Sequence, residues 1–157
     1  MVTRAARERV FHTSDVESTR ALAAALGRVA QAGDFIALTG DLGAGKTQFA
    51  KGFGLGLGVT NTINSPSFVL MAEHRGRLPL FHLDLYRLGE PVDAVDGGLL
   101  DDRQADGVTV VEWAERLGPA LPQQRLDVSI DGAGDDSRTI RLQAVDESHE
   151  RYLDAAE

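Results

Sequence analysis

The spacing of apolar residues along this chain switches several times between the period of a helix and that of a strand. Ser14 and Glu17 have the spacing of a helix capping box, and the apolar residues that follow recur at helical intervals, which predicts a helix at about 16–32. Phe35–Thr39 is a short, continuous apolar run, typical of a strand that is covered on both faces. A second helix is predicted at about 46–55, directly after a glycine-rich segment.

Strand-like runs dominate the rest of the chain. They are expected at 69–73, 78–84, 108–111, 126–130 and 139–142. The first two flank a turn in which Gly76 permits a tight hairpin, and the last two form a second antiparallel pair around a turn that is rich in glycine and aspartate.

The glycine-rich segment after the first strand reads GDLGAGKT at residues 40–47. This spacing lets successive backbone N–H groups point at one phosphate, and the strand before it and the helix after it favour a P-loop over an unrelated glycine-rich turn. Lys46 would reach the β- and γ-phosphates, and the Thr47 hydroxyl would ligate Mg²⁺. ATP is expected, because guanine-selective G proteins usually carry a late Asn-Lys-x-Asp element and no lysine follows Lys51. The residues expected to contact the nucleotide are Asp41, Gly43, Ala44, Gly45, Lys46, Thr47 and Gln48.

These elements predict an α/β fold, a single P-loop NTPase domain in which a mixed central sheet carries helices on both faces. A chain of 157 residues is the size of one such domain. Residues 1–144 are assigned to it, with a short helix and loop at 90–104. From about residue 145 the chain turns acidic, and 145–157 is expected to be a C-terminal tail, either a frayed helix or disordered.

Composition narrows the classes of function. The chain has no cysteine, which excludes disulfides, thiolate zinc sites and a cysteine nucleophile. A net charge of −8 argues against a protein that grips nucleic acid by itself, because that task needs a clustered basic surface. No segment has the pattern of a signal peptide or the roughly 20 apolar residues of a membrane span, so the cytoplasm is the expected location.

Two apolar strands end in an acidic residue, one in Asp84 and the other in Glu112. Ligands in open α/β sheets lie beyond the carboxyl ends of the strands, so either carboxylate could serve the metal or the attacking water. A two-residue hairpin turn at 75–76 would place Ser67 opposite Asp84. We therefore expect Ser67, Asp84 and Glu112 near the phosphates.

Several residues close to Asp84 and Glu112 in the sequence can be interpreted as either structural or functional. His82 lies on the same strand face as Asp84 and is either a satisfied structural histidine or a functional one. Trp113 belongs either to the core or to the site. Tyr86 and Arg87 could form a partner surface or pack ordinarily.

Four segments in fixed order, GDLGAGKT, SPSF, HLDLYR and VEW, resemble the TsaE (YjeE) family of small bacterial ATPases over about residues 11–142. The resemblance implies an ATPase that works with the proteins TsaD and TsaB in forming threonylcarbamoyladenosine next to the anticodon of tRNA, with tRNA contacted only indirectly. It also implies that Glu112 is a second Mg²⁺ ligand, that Asp84 supports hydrolysis, and that Ser67 lies in a switch loop. Residues 13–18 resemble the family segment that passes near the nucleotide base.

Two positions depart from the family pattern. Ser67 replaces the usual threonine of the Ser-Pro-Thr loop, which keeps the hydroxyl and loses the methyl group that restricts its rotamers. Gly97 and Gly98 stand where a leucine usually precedes a single glycine.

Three functions are compatible with these features. The first is a weak ATPase whose hydrolysis resets an RNA-modifying complex. The second is a small-molecule P-loop kinase, which usually needs an arginine-bearing lid, and Arg103, Arg116 and Arg125 form no evident lid pattern. The third is a nucleotide-gated binding module that seldom hydrolyses ATP.

Overall fold

The computed structural model describes residues 7–41, 43–60, 63, 71–86, 102–132 and 135–156. The strands in this part are β1 (Arg7–Thr13), β2 (Phe35–Thr39), β3 (Met71–Arg75), β4 (Pro79–Asp84), β5 (Val108–Glu112), β6 (Leu126–Asp131) and β7 (Arg138–Ala144). The α-helices are α1 (Val16–Gly27), α2 (Lys46–Gly56) and α3 (Arg151–Ala155), and 3₁₀ turns lie at Asp102–Asp106, Ala114–Ala120 and Glu147–His149. Ser67, the SPSF segment, Arg87 and most of the predicted helix and loop at 90–104 lie outside the described residues.

Within the described residues, the strands form one seven-stranded mixed sheet in the order β1-β7-β6-β2-β5-β4-β3. β6, β2, β5 and β4 run parallel to one another, β7 and β3 pair antiparallel with the two outer strands of this group, and β1 pairs antiparallel with β7. The parallel strands therefore bring the carboxyl ends of β2, β4 and β5 to one edge of the sheet, as the sequence predicts for a P-loop fold.

Alternation along β2 divides the core in two. Ile36 and Leu38 face the layer that α1, α2 and α3 form, where they join Phe49 and other buried side chains. Phe35 and Ala37 face the opposite side, where the 3₁₀ turn at Ala114–Ala120 contributes to a smaller cluster. The α/β architecture with helical segments on both faces of a mixed sheet is thus confirmed.

Helix α1 begins at Val16, as the sequence predicts, but its N-cap is one residue later than expected and it ends earlier. Asp15, not Ser14, is the N-cap: its carboxylate accepts from the backbone N–H of Ser18 at 2.7 Å, and the Ser18 hydroxyl accepts from the N–H of Asp15 at 3.1 Å. At the other end, Arg77 donates to the carbonyls of Gly27 and Ala30 at 3.1 and 2.9 Å. These side-chain caps satisfy the end of α1 at Gly27, short of the predicted residue 32.

The predicted register of the β3–β4 hairpin is wrong. Leu83, expected opposite Phe68, pairs with Met71, and the last pair before the turn joins Arg75 to Pro79. The turn is longer than two residues because Arg77 leaves the ladder and donates its backbone N–H to the carbonyl of Leu57 at 2.7 Å. This register gives no support to a direct pairing of Ser67 with Asp84.

The C-terminal segment differs from the expected tail. Tyr152 and Leu153 of α3 are fully buried in the main core cluster, and the Tyr152 hydroxyl donates to the carboxylate of Asp34. The Arg151 guanidinium binds the same carboxylate. Acidic composition predicted frayed or disordered structure here, but the buried side chains of Tyr152 and Leu153 and the ion pair to the buried Asp34 dock this short helix against the sheet.

His149 joins the C-terminal segment to the central strand. The backbone N–H of Phe35 donates to its Nε2 at 3.1 Å, so this nitrogen must be unprotonated. Its Nδ1 lies 2.7 Å from a carboxylate oxygen of Asp146, the partner to which that nitrogen donates. Burial lowers the pKa of His149 below its ordinary value, and the charge of Asp146 opposes this effect.

Stability is therefore expected to depend on pH through His149. A histidine whose folded pKa is lowered contributes fully above its unfolded value of about 6.5, and the contribution is lost as the pH falls below that value. We expect the thermal unfolding midpoint to decrease more steeply between pH 7.5 and 5.5 in the wild type than in His149→Gln, which cannot titrate. His12→Gln, the same substitution at an exposed position of β1, is the control; a slope in His149→Gln equal to that of the wild type would contradict the assignment.

Candidate functional site

The glycine-rich loop connects the end of β2 to the start of α2. Gly45, the residue before α2, has φ of 110°, a conformation that a side chain disfavours. Gly40 has φ of 149°, and a Cβ atom there would lie 2.4 Å from the carbonyl oxygen of Ile130. The loop can take this shape next to β6 only with glycine at both positions.

Lys46 is folded over this loop. Its ammonium donates to the carbonyls of Gly40 and Asp41 at 2.6 and 2.8 Å and lies 4.1 Å from the centre of the Trp113 ring. Burial lowers the pKa of Lys46, and the charge of Glu112 is the largest opposing influence. The cation is thus held at the centre of the loop by dipoles and a ring face, contacts that an anionic ligand can replace.

Glu112 links the loop helix to the sheet. The Thr47 hydroxyl donates to its Oε1 at 2.8 Å, and His82 Nε2 lies 2.6 Å from its Oε2. Glu112 is 2% exposed and His82 is completely buried. The acid predicted at the end of β5 therefore stands directly against the predicted metal ligand Thr47.

Asp84 lies beside Glu112 because β4 and β5 pair in parallel with these two residues in register. Its Oδ1 accepts from the backbone N–H of Tyr86 at 3.0 Å, and its side chain is half-buried at the edge of the sheet. The second predicted acid thus reaches the same place, from the neighbouring strand.

These groups line one cavity of about 310 Å³. Its walls are formed by Gly43, Gly45, Lys46, Thr47, Gln48, Asp84, Tyr86, Glu112 and Trp113. Two other residues predicted to contact the nucleotide lie in the loop itself. The Asp41 carbonyl accepts from Lys46, and it also accepts from the backbone N–H of the buried Ala44. Ser67 cannot be placed, because it lies outside the described residues.

Trp113 belongs to the site and not to the deep core. It is half-buried, and its ring lies 5.0 Å from that of Tyr86. Its φ of 59° is the only positive value at a non-glycine residue among the described residues. This left-handed conformation directly after β5 turns the indole towards Lys46.

Arg138 is a contact to the loop that the sequence does not reveal. From the start of β7, its Nε donates to the carbonyl of Ala44 at 2.6 Å and a terminal nitrogen donates to Gly43 at 3.3 Å. It also borders a second cavity of about 410 Å³, between His12–Ser14 and the β6–β7 turn. No spacing rule marks this arginine, because its role depends on the antiparallel return of β7 beside the loop.

The side chain of Gln48 is hydrogen-bonded to Arg20 on α1. Its side-chain oxygen accepts from Arg20 Nε at 2.9 Å, so the amide points towards α1 while the backbone of Gln48 stays in the first turn of α2. This contact, like that of Arg138, was not predicted.

The oxygen groups of this site fit Mg²⁺ in type and number. A hydroxyl and two carboxylates are hard ligands, and Mg²⁺ is usually held by one or two carboxylates together with phosphate oxygens and water. Among the described residues, no cluster of three or more His, Cys, Asp or Glu side chains could hold a metal ion alone.

Residues 13–140 match the family described as "Threonylcarbamoyl adenosine biosynthesis protein TsaE". The chain is 44% identical over 141 residues to the tRNA threonylcarbamoyladenosine biosynthesis protein TsaE of Bacillus subtilis, with 89% of this chain and 88% of that protein covered. The chain belongs to the TsaE family. A TsaE protein of Treponema pallidum is 41% identical over 117 residues, which cover 74% of this chain and 87% of that protein.

The TsaE fold extends over the whole described structure. A crystal structure of Bacillus subtilis YdiB matches with a TM-score of 0.80 and 36% identity, covering 98% of this chain and 97% of that one. The family resemblance that the four sequence motifs indicate is therefore confirmed. None of the helices in the described residues is long and apolar enough to cross a membrane.

Removal of the Arg138 contacts should weaken binding of a nucleoside triphosphate. Arg138→Met deletes two charged hydrogen bonds to loop carbonyls, and we expect an affinity loss of about tenfold by calorimetric titration. Arg141→Met is the control, because Arg141 lies on the same strand, is exposed and forms a surface ion pair with Glu8. Equal affinities for the two variants would show that Arg138 does not support the loop.

Proposed function

We propose that this TsaE protein binds ATP with Mg²⁺ and hydrolyses it slowly, and that it thereby supports TsaD and TsaB in forming threonylcarbamoyladenosine next to the anticodon of tRNA. The observation that carries the proposal is the convergence of Lys46, Thr47, Asp84 and Glu112 on one cavity at the carboxyl ends of parallel strands. This role would be exercised in the cytoplasm, where tRNA is modified.

Phosphate binding would use the loop backbone and Lys46. The N–H groups at the start of α2 and the partial positive charge of that helix favour an anion between Gly43 and Thr47. Lys46 would exchange its two carbonyl contacts for phosphate oxygens, which are stronger acceptors. Since the ammonium also rests on Trp113, phosphate binding would change the surroundings of the indole.

Thr47 and Glu112 would hold Mg²⁺. When bound, the metal would supply charge stabilisation to the β- and γ-phosphate oxygens. The Thr47 hydroxyl on α2 and the Glu112 carboxylate on β5 are joined by a direct hydrogen bond of 2.8 Å. Their oxygen atoms therefore lie close enough to ligate one metal ion. Glu112 needs little rearrangement to change from accepting a hydroxyl proton to ligating a cation.

Asp84 is the better candidate for orienting the attacking water. Glu112 directly contacts Thr47, the other proposed metal ligand. Asp84 is less buried, lines the cavity, and lies in register with Glu112 on the adjacent strand. We therefore assign the metal to Glu112 and the water to Asp84.

The nucleotide base would occupy the second cavity. This space lies between His12, Thr13 and Ser14 on one side and the β6–β7 turn on the other, and Arg138 joins it to the phosphate loop. It includes the start of the 13–18 segment, which resembles the family segment that passes near the nucleotide base. Backbone and hydroxyl groups of this kind would recognise the edge of adenine.

Contact with tRNA would be made by the partners. With a net charge of −8, this chain has little excess positive charge with which to neutralise the phosphates of RNA. A partner protein could instead bind differently to the ATP-bound and the nucleotide-free forms. Tyr86, 43% exposed, and the Arg116 guanidinium 5.9 Å from its ring form the rim beside Trp113. A TsaD or TsaB surface that contacts this rim would be affected by changes at Lys46 and Trp113 when nucleotide binds.

Steady-state ATP hydrolysis tests this proposal. Turnover should be slow for the chain alone, rise when TsaD and TsaB are added, and be lost in Glu112→Ala, which removes a metal ligand. If the partners change nothing and an added small metabolite becomes phosphorylated, a P-loop kinase replaces the proposal. If nucleotide binds without turnover in any mixture, the chain is a nucleotide-gated binding module.

Thr47 offers a matched pair of variants for the metal. Thr47→Ser keeps the hydroxyl and should retain Mg²⁺-dependent nucleotide binding, whereas Thr47→Ala should lose most of it. Trp113 is the single tryptophan of the chain and lies 4.1 Å from Lys46, so its fluorescence can follow the titration. Normal hydrolysis by Thr47→Ala in the assembled complex would contradict the assignment.

A further inference from the structure

His82 is buried in the middle of β4 with no exposed surface. The adjacent core positions of this strand, Leu80, Phe81 and Leu83, are apolar, and a polar ring among them costs free energy unless it forms hydrogen bonds. Within the described residues its Nδ1 has no partner, and its Nε2 contacts Glu112 at 2.6 Å. The imidazole is therefore placed for one contact, which is the carboxylate of Glu112.

The pairing of strands explains why this contact forms. His82 is in register with Val110 on β5, so Glu112 is its diagonal neighbour on the same face of the sheet. A carboxylate oxygen only accepts, so this contact requires a proton on Nε2, whose N–H would donate the hydrogen bond to Oε2. This donation leaves Oε1 directed at Thr47.

We propose that His82 is a positioning residue that fixes the Glu112 carboxylate in the orientation required for Mg²⁺. The proposal rests on the magnesium-nucleotide function given above and adds a residue to it. With Oε2 held by His82, rotation of the carboxyl group is restricted and Oε1 stays beside the Thr47 hydroxyl. Hydrogen bonds to a ligating carboxylate tune metal affinity in this way.

Two isosteric variants separate this role from simple packing. In His82→Gln the amide nitrogen takes the position of Nε2, whereas in His82→Asn it takes that of Nδ1 and cannot reach Glu112. The quantity to measure, by calorimetry, is the Mg²⁺ concentration that gives half-maximal nucleotide binding. We expect an increase of about tenfold for His82→Asn and near wild-type behaviour for His82→Gln.

Nucleotide binding in EDTA and the unfolding midpoint are the controls for structural damage. If His82 acts through Glu112, His82→Asn should add no further change in Mg²⁺ dependence to a Glu112→Gln background. An unchanged Mg²⁺ requirement in His82→Asn, or equal losses in the Asn and Gln variants, overturns the inference. A wild-type chain without Mg²⁺-dependent nucleotide binding overturns the proposed function and this inference together.

A measurement on the wild type does not depend on whether the variants fold. Nitrogen-proton NMR should show His82 as the tautomer with its proton on Nε2, and Glu112→Ala should shift that resonance. A proton on Nδ1, or a resonance that is indifferent to Glu112→Ala, overturns the positioning role.

Discussion

The buried carboxylate of Glu112 sets the constraint on which the rest of the site depends. A carboxyl group that is 2% exposed must find polar partners in place of the water it has lost. Thr47 supplies one hydrogen bond from the first turn of α2, and His82 supplies the other from β4. One side chain thus holds the loop helix and two parallel strands in the arrangement that the proposed chemistry requires.

Sequence patterns predict the parts of this arrangement that depend on local rules. The loop at 40–47 needs glycine for its backbone angles and a helix directly after it, and both requirements are visible in the sequence. Apolar runs that end in Asp84 and Glu112 predict two acids at the same edge, and parallel pairing puts them side by side. The identity of the fold followed from these features together with the four family motifs.

Contacts between distant segments are what the sequence could not show. Arg77 binds the end of α1 and lengthens the β3–β4 turn, so a rule based on a two-residue hairpin gave the wrong register. Tyr152 donates a hydrogen bond to Asp34, which is distant in sequence, and this contact helps to dock the C-terminal segment as a helix although its composition is acidic. Arg138 reaches the loop only because β7 returns beside it. Each of these interactions is decided by tertiary packing, which residue spacing does not encode.

In the proposed function, the loop holds a magnesium nucleotide between Lys46, Thr47 and Glu112. A crystal structure with Mg²⁺ and a non-hydrolysable ATP analogue tests it most directly. We expect Lys46 to leave the carbonyls of Gly40 and Asp41 for phosphate oxygens, and the metal to bind Thr47 and Glu112. An analogue bound elsewhere, or a loop in which Lys46 keeps both carbonyl contacts with the analogue bound, would contradict it.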